Sequence, residues 1–215
     1  MIDSKIFCMC LQSHHLDNIK KLNYTPVGLG KNNFSSEWLK DSTGLNIFQK
    51  NSYYGEYTFY YWFWKNLLEE LEDNTWIGFT GYRYHWSQEN SISSDKLNKI
   101  VNKENFMKYV LKKIPKEWEK YDAFLCEPIK VSPAKTTKLI KKGWKNWLKN
   151  PSILFDKRKH NIKLQFDMFH GYGILDSAID RMRFEHREEF RHYVDTNTEF
   201  NPHIMVISKK LILDK

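Results

Sequence analysis

Aromatic residues are concentrated in the stretch from Asn46 to Trp86, and this stretch constrains the fold more than any other. Between Ser52 and Asp73 it contains no proline, and apolar or aromatic residues recur every three or four positions. These residues are Tyr54, Tyr57, Tyr61, Trp64, Leu68 and Leu71. That spacing is the period of one helix face, so the sequence predicts a helix over 52–73 that presents them together, with Asn51 and Ser52 as capping residues.

A short strand and a polar segment follow this helix. Residues 75–80, TWIGFT, favour β-structure and lie between turn formers, which predicts a buried strand. The next residues, GYRYHW at 81–86, combine cationic, hydrogen-bonding and stacking side chains. In open α/β sheets, ligands bind at the carboxyl ends of strands, so residues 81–86 are a candidate ligand site.

The rest of the chain alternates short apolar runs with segments of helical spacing. The apolar runs that predict further buried strands are 6–10, 123–126 and 204–207. The segments that predict helices are 104–114, 175–182 and 185–193, while 87–102 has the composition of an exposed loop. Alternating strands and helices favour an α/β layered fold, and 215 residues are consistent with one domain.

The chain is basic, with 34 Lys and Arg residues against 26 Asp and Glu residues and a formal net charge of +8. Such a balance attracts nucleic acid, membrane surfaces or phosphorylated substrates. Residues 135–149 contain six lysines and no acid, interleaved with Leu and Trp residues, and predict a basic helix that begins at Ser132 and Pro133. This helix is either the solvated face of a core helix or a surface that meets anionic lipid or a charged acceptor.

Several features bear on location. No run of about eighteen apolar residues is present, and the amino terminus lacks the basic region and cleavage site of a signal peptide. Cys8, Cys10 and Cys126 match no metal or redox spacing, which favours reduced core thiols. We therefore expect a cytoplasmic protein that is at most peripheral to the inner face of a membrane.

The common nucleotide-binding, hydrolase and zinc-protease motifs are absent from the sequence, and so is the Asp-x-Asp triplet with which many nucleotide-sugar enzymes hold a divalent metal. We therefore expect no cofactor, although a divalent metal stays open. His14, His15 and Asp17, and the acidic and histidine residues of 185–192, are types that bind metals, but a polar loop and an exposed helix explain them better.

If a diphosphate is bound, side-chain cations must neutralise much of its charge. Arg83 is the first candidate, because its planar guanidinium can donate to two phosphate oxygens while Tyr82 and His85 donate beside it. Lys50 with Asn51 is the second, because a cation and a helix start converge there. The alternatives are a structural arginine stacked on an aromatic ring and a simple helix cap.

Two long motifs resemble a known family. The run IFQKNSYYGEYTFYYWFWKN followed by WIGFTGYRYHW resembles the domain of unknown function DUF4422, found in bacterial capsular and O-antigen polysaccharide loci. The matching positions are Lys50, Asn51, Tyr54, Glu56, Thr58, Tyr61, Trp62, Trp64, Lys65, Asn66, Gly78, Tyr82 and Arg83. FNPHIMVISKK is similar to the family's last strand, and IFCMC and YTPVGLG occupy the expected places, so the resemblance spans most of the chain.

The resemblance implies a GT-A-like, Rossmann-related α/β fold, with a mixed sheet flanked by helices in one domain over 1–215. It also implies a glycosyltransferase that takes a nucleotide-diphosphate sugar as donor and a glycan or lipid-linked molecule as acceptor. The sequence departs from the family at Gly81, where the family has His, and at Tyr84, where it has a second Arg. We also expect a shortened carboxyl-terminal helical portion.

On this basis the candidate site residues form two sets. The predicted donor and diphosphate ligands are Lys50, Asn51, Tyr54, Tyr82, Arg83, His85, Asn201 and His203. The candidates for a catalytic carboxylate are Glu56, Asp176 and Asp180, with no order among them, and no metal ligand is predicted.

Two other functions are compatible with the sequence. A nucleic-acid-binding module would use the positive charge together with exposed stacking residues, whereas a transferase would bury most aromatic residues of 54–64. An inactive member of a polysaccharide locus is the third hypothesis.

Overall fold

The computed structural model describes residues 4–87, 94–102, 104–131 and 136–214. The chain divides into two compact units. The first, here the sheet unit, comprises Met1–Cys126 and His203–Lys215, and the second, here the insert unit, comprises Glu127–Pro202. The predicted helix start at Ser132 and Pro133 lies outside the described residues.

The sheet unit contains a mixed sheet of six strands. Numbered along the chain, the strands of the protein are β1 Ser4–Cys10, β2 Thr25–Gly28, β3 Leu39–Lys40, β4 Trp76–Gly81, β5 Ala123–Leu125, β6 Ile129–Lys130, β7 Glu199–Phe200 and β8 Val206–Lys209. The sheet has the order β3-β2-β1-β4-β8-β5, in which β1 to β4 are parallel and β8 is antiparallel to both β4 and β5. The predicted α/β fold with a mixed sheet is confirmed.

Helices connect these strands. The α-helices are α1 Leu16–Lys21, α2 Asn51–Tyr54, α3 Tyr57–Asn66, α4 Ser94–Ile100, α5 Thr136–Lys142, α6 Trp144–Lys149, α7 Ile162–His170, α8 Ile174–Ile179, α9 Phe184–Thr196 and α10 Lys210–Leu213. Within the described residues, no helix is both long enough and apolar enough to span a bilayer.

The sheet is covered on both faces, because alternate side chains of β1 enter different clusters. Phe7 and Met9 pack with Phe59 and Phe63 of α3. Ile6, Cys8 and Cys10 pack on the opposite face with Ile19 and Leu22, which lie on and after α1. Cys8 and Cys10 are buried free thiols, as predicted, and burial raises the pKa of Cys8 to about 12.

The predicted single helix over 52–73 is wrong in two respects. Gly55, with φ of +53°, separates α2 from α3, and a short 3-10 helix, Leu68–Glu70, follows. The buried face of α3 consists of Thr58, Phe59, Trp62 and Phe63, whereas Tyr54, Tyr57 and Trp64 are 51–56% exposed. Two stripes of this helix have the same period, and the sheet packs against the stripe that carries both phenylalanines, where the buried hydroxyl of Thr58 is hydrogen-bonded to Asp41.

Other segments differ from prediction at their ends. The helix predicted over 104–114 is reduced to a 3-10 turn at Phe106–Lys108, and the loop predicted over 87–102 contains α4. The basic helix is present as α5 and α6, which meet at Gly143. The helices predicted near 175–182 and 185–193 are confirmed as α8 and α9.

The insert unit is built mainly from α5 to α9, with the two-stranded sheet of β6 and β7. One cluster of buried residues comprises Val131, Ile162, Leu175, Ile179 and Val194. A second comprises Leu139, Ile153, Leu164 and Met168. These two clusters give the insert unit its own apolar core.

Candidate functional site

The parallel strands β1 to β4 end at one edge of the sheet, and the loops that leave this edge carry most of the candidate residues of the sheet unit. Strand β1 is followed in the sheet by β2 on one side and by β4 on the other. The chain therefore first adds β2 and β3 on one side of β1 and then adds β4 on the other side. Such a reversal of strand order opens a crevice at the carboxyl ends of the strands. By this rule, the strand order of the sheet predicts the crevice between β1 and β4.

The turn after β4 is held by backbone hydrogen bonds. The Tyr84 N–H donates to the Gly81 carbonyl at 3.1 Å, and the Tyr82 N–H donates to the Met9 carbonyl of β1 at 3.0 Å. The Thr80 hydroxyl donates to the Tyr84 carbonyl. Tyr82 and Arg83 therefore occupy the two central positions of a fixed turn at the crevice.

Arg83 is exposed at this turn, and its guanidinium lies 5.4 Å from the centre of the Tyr82 ring. Its side chain makes no hydrogen bond or ion pair with any other residue that the structure describes. The sequence left open a structural arginine stacked on an aromatic ring, and the ring that the Arg83 guanidinium lies over is that of Tyr82. A guanidinium fixed by its backbone and without a counter-charge is suited to bind an anion.

The loop after β1 meets the turn after β4. The rings of His15 and Tyr82 lie 5.0 Å apart, and those of His14 and His15 lie 4.0 Å apart. His15 Nε2 is 3.3 Å from Gln12 Oε1. Burial lowers the pKa of His15, and the neighbouring His14 adds to the effect. His15 thus joins the crevice as a neutral ring near pH 7, a role that the sequence did not predict.

His85 is half-buried, and its ring stacks at 6.0 Å from that of Phe106. Burial lowers the pKa of His85, and the positive charge that His15 can carry lowers it further. Its Nδ1 is buried and has no hydrogen-bond partner among the described residues. The His85 ring therefore lies on the core side of the turn, whereas Arg83 faces solvent.

Asn51 links three segments at the same edge of the sheet. Its side-chain amide donates to the Gly55 carbonyl and to Thr58 Oγ1, both at 2.9 Å. Thr58 in turn donates to Asp41 Oδ2 at 2.5 Å. Asn51 Oδ1 lies 3.0 Å from the position that a Cβ on Gly30 would take, so it also contacts the loop after β2.

Asn51 and Ser52 were predicted to cap the helix that starts there, and that prediction is wrong. The residue before α2 is Lys50, and its side chain forms no capping hydrogen bond. Asp41, which directly follows β3, is 1% exposed. Burial raises the pKa of Asp41, and the hydrogen bond from Thr58 acts in the opposite direction. Lys50 is exposed next to the network and forms no hydrogen bond or ion pair within the described part of the chain.

An open cavity of about 290 Å³ lies at the carboxyl ends of β2 and β3. Two lysines, Lys31 and Lys40, line it together with Asn32, Asn33 and Ser42, and no carboxylate is among its lining residues. Gly28 shapes one wall, because a Cβ there would lie 2.6 Å from the Phe34 ring. The sequence signal for this cavity was the polar run GKNN directly after an apolar strand, which the GLG spacing alone did not reveal.

The other predicted residues of the sheet unit surround this edge or the strand next to it. The ring of His203, which precedes β8, lies 4.7 Å from that of Tyr84. Tyr54 on α2 is 51% exposed, and Glu56, the residue before α3, is exposed. Of these residues, His203 contacts the turn that carries Tyr82 and Arg83, through the ring of Tyr84.

Asp176, Asp180 and Asn201 belong to the insert unit. Asp176 accepts hydrogen bonds from Lys163 at 2.7 Å and from Arg191 at 3.2 Å, and Arg191 also donates to Asp180 at 2.9 Å. These ion pairs join α7, α8 and α9. Within the described ranges, no three His, Cys, Asp or Glu side chains are grouped so that they could hold a metal.

Comparisons with known proteins agree with this architecture. A solved structure described as the apo form of WbbM, a bifunctional glycosyltransferase, superposes with a TM-score of 0.60 at 21% sequence identity. The match covers 99% of this chain and 35% of that chain, so this chain spans about a third of that protein's length. The likeness confirms the predicted GT-A-like fold. No curated protein matches the sequence.

The profile of the family DUF4422, described as a domain of unknown function, matches residues 5–215. The match extends over both compact units and contains the two motifs that carried the resemblance in the sequence. This chain belongs to the DUF4422 family.

Proposed function

We propose that this protein is a glycosyltransferase that transfers a sugar from a nucleotide-diphosphate donor to a glycan or lipid-linked acceptor. The observation that carries the proposal is the fixed turn after β4, which presents Arg83 at the carboxyl ends of β1 and β4, where it forms no ion pair with any of the described residues. Membership of DUF4422 and the fold shared with a bifunctional glycosyltransferase support the same function.

The chemistry of the transfer assigns a role to the turn. The acceptor oxygen attacks the anomeric carbon, the bond from that carbon to the diphosphate oxygen breaks, and the electron pair stays on the diphosphate. Arg83 donates to the oxygens on which this charge develops, and the Tyr82 hydroxyl donates beside it. His203 adds a ring to the same side of the site through its contact with Tyr84.

In an inverting transfer, a carboxylate takes the proton of the acceptor hydroxyl. Glu56 suits this role better than Asp176 and Asp180, because it is exposed beside the aromatic helix, whereas Arg191 holds both aspartates. The buried Asp41 is bonded to Thr58 and serves to position the start of α3.

Cations of the protein take the place of a metal in this proposal. The sequence lacks the Asp-x-Asp triplet, while Lys31, Lys40 and Lys50 add positive charge to the edge of the sheet at which Arg83 lies. The reaction then belongs to the hexosyltransferase type without a divalent ion. Its setting is the synthesis of surface polysaccharide on the cytoplasmic side of a membrane, where lipid-linked acceptors are held.

Donor binding is the direct test. Calorimetric titration with UDP-, GDP- and CMP-sugars, with and without EDTA, should detect binding of a UDP- or GDP-sugar that EDTA does not abolish. Arg83→Gln should remove this binding, and Arg183→Gln, which replaces an exposed arginine of the insert unit, should retain it. Binding of CMP-sugars alone, which carry a single phosphate, would argue against a diphosphate donor.

The same titration separates the other hypotheses. Binding to single-stranded oligonucleotides with no affinity for any nucleotide sugar would overturn the transferase in favour of a nucleic-acid-binding module. Donor binding without transfer to any acceptor of a glycan and lipid-linked panel would identify an inactive member.

A further inference from the structure

The helices α5 and α6 present two parallel stripes of exposed side chains. Ile140, Trp144 and Leu148, which are 49%, 48% and 57% exposed, follow one another at intervals of four residues. Lys141, Lys145 and Lys149 are exposed at the adjacent positions with the same interval. We call these six residues the lysine–tryptophan face.

The lysine–tryptophan face is fixed from below by packing. Leu139 of α5 is 1% exposed and belongs to the cluster that also contains Leu164 and Met168 of α7. At the junction of the two helices, a Cβ on Gly143 would lie 3.1 Å from the Leu139 carbonyl and 3.4 Å from Met168. This close packing seats one side of α5 and α6 on α7, while the six residues of the face lie on the exposed surface of the chain.

Other aromatic rings that lie next to lysine ammonium groups extend the lysine–tryptophan face. Phe169 is 57% exposed, and the Lys138 ammonium lies 3.8 Å above its ring. Lys145 and Lys149 lie 5.6 Å and 5.2 Å from the ring of Tyr172. Exposed aromatic rings beside lysines are typical of the boundary between lipid headgroups and acyl chains.

The helix α9 provides a contrast within the same unit. It also exposes large rings, with Phe184 82% exposed, but Glu185, Glu188 and Glu189 are exposed among them. Residues 136–149 contain no acidic residue. Of these two helix faces, that of α5 and α6 therefore combines exposed apolar side chains with lysines and has no acidic residue in its own helices.

We propose that the lysine–tryptophan face docks the protein on the surface of an anionic phospholipid bilayer. The aliphatic side chains Ile140 and Leu148 distinguish this partner from nucleic acid, because they gain free energy among acyl chains and gain little against phosphodiesters. The lysines are attracted by the negative surface potential of such a bilayer. The inference rests on the proposed function only in that docking brings the enzyme to a lipid-linked acceptor.

Sedimentation with large vesicles tests the docking directly. The full chain should bind vesicles of phosphatidylcholine with a quarter phosphatidylglycerol, should not bind pure phosphatidylcholine, and should lose most of its binding at high salt. Since each lysine near an anionic surface contributes about fivefold, Lys141→Gln with Lys145→Gln should lower the binding constant about 25-fold.

A matched control changes the same charge elsewhere. Lys112→Gln with Lys113→Gln removes two exposed lysines of the sheet unit and should leave vesicle binding within about twofold. Trp144→Ser with Leu148→Ser should remove the fraction of binding that survives high salt. Circular dichroism before sedimentation shows that each variant is folded.

The results have definite meanings for the proposal. Equal loss in both lysine pairs, equal binding to neutral vesicles, or binding to oligonucleotides but not to vesicles would overturn docking by this face. Because the vesicles contain no nucleotide sugar, failure here leaves the transferase proposal standing. Donor titration of the Lys141 and Lys145 variant, expected to be unchanged, tests that proposal separately.

Discussion

Arg83 and Arg191 are both arginines, but the surroundings of their guanidinium groups are opposite. Arg191 donates to Asp176 and Asp180, and its Nε lies 3.8 Å from Glu188. Arg83 is fixed by a backbone turn and has no carboxylate beside it among the described residues. A guanidinium whose donors are already occupied holds helices together, whereas one with free donors at the end of a parallel strand is available to a ligand.

The largest effect is expected for Arg83→Gln, which should lower kcat/KM for sugar transfer about 100-fold, the typical loss when one donor to a developing negative charge is removed. Its thermal unfolding should be unchanged, because the side chain contacts little. Steady-state kinetics and calorimetry measure the two effects. If Arg191→Gln lowers kcat/KM as much as Arg83→Gln does, without loss of stability, the proposed difference between the two arginines is wrong.

Thr58→Val should destabilise the sheet unit by about 2 kcal/mol, because it leaves the buried Asp41 carboxylate and the Asn51 amide without their shared partner. Chemical denaturation at pH 7 measures this loss.

Acid should reduce the effect of Thr58→Val. Burial raises the pKa of Asp41, and loss of the hydroxyl that opposes this shift raises it further, so the folded variant takes up a proton more readily than the unfolded chain. The loss of stability should therefore be smaller near pH 4.5 than at pH 7. Thr137→Val, at an exposed site, is the control, and equal losses at both pH values would argue against a charged Asp41.

Asp176→Asn should lower the free energy of unfolding by about 1 kcal/mol, because it removes one carboxylate that Lys163 and Arg191 share at partly exposed positions. Asp180→Asn should cost less, since that side chain is 66% exposed. Neither variant should alter donor affinity. A large fall in kcat for Asp176→Asn with unchanged stability would instead make Asp176 the catalytic base.

The smallest expected effect is a change in how the melting temperature depends on pH, and it involves His85. Burial, and then His15, lowers the pKa of His85 below its ordinary 6.5, so the unfolded chain binds its proton more readily than the folded chain. The stability that neutral His85 provides is present above pH 6.5 and is lost as the pH falls through its folded pKa. Melting temperatures between pH 7.5 and 5.5 should fall less for His85→Gln, and identical slopes would place the titration elsewhere.

The strands were the most predictable part of this molecule. β1, β4 and β8 are short apolar runs between turn formers, because central strands of a covered sheet bury both faces. β5 was also predicted as a buried strand, but it lies at the edge of the sheet and its Leu125 is 66% exposed. Period alone could not decide which aromatic stripe of α3 faces the sheet, since both stripes recur at the same interval. The break at Gly55 was equally hidden, because a glycine within a helical pattern is compatible with either outcome.

Candidate site residues were predictable where they lie directly after a strand within one motif, as Tyr82 and Arg83 do. His15 and Asp41 were missed for a common reason. Their positions depend on pairings between distant segments, β1 with β4 and Asp41 with Thr58, and a single sequence does not display such pairings. The ion pairs of Asp176 could not be predicted from the sequence either, because Lys163 and Arg191 lie on two other helices.

The place of β8 in the sheet has a consequence for synthesis of the chain. β5 pairs with β8 and not with β4, and the contact of Lys209 with Asp122 joins residues 87 positions apart. During synthesis on the ribosome, β5 has no hydrogen-bonded neighbour in this sheet until the whole insert unit and β8 have been translated. Nascent chains arrested before Val206 should therefore be cut by protease near residues 123–125, and chains released after Lys209 should resist.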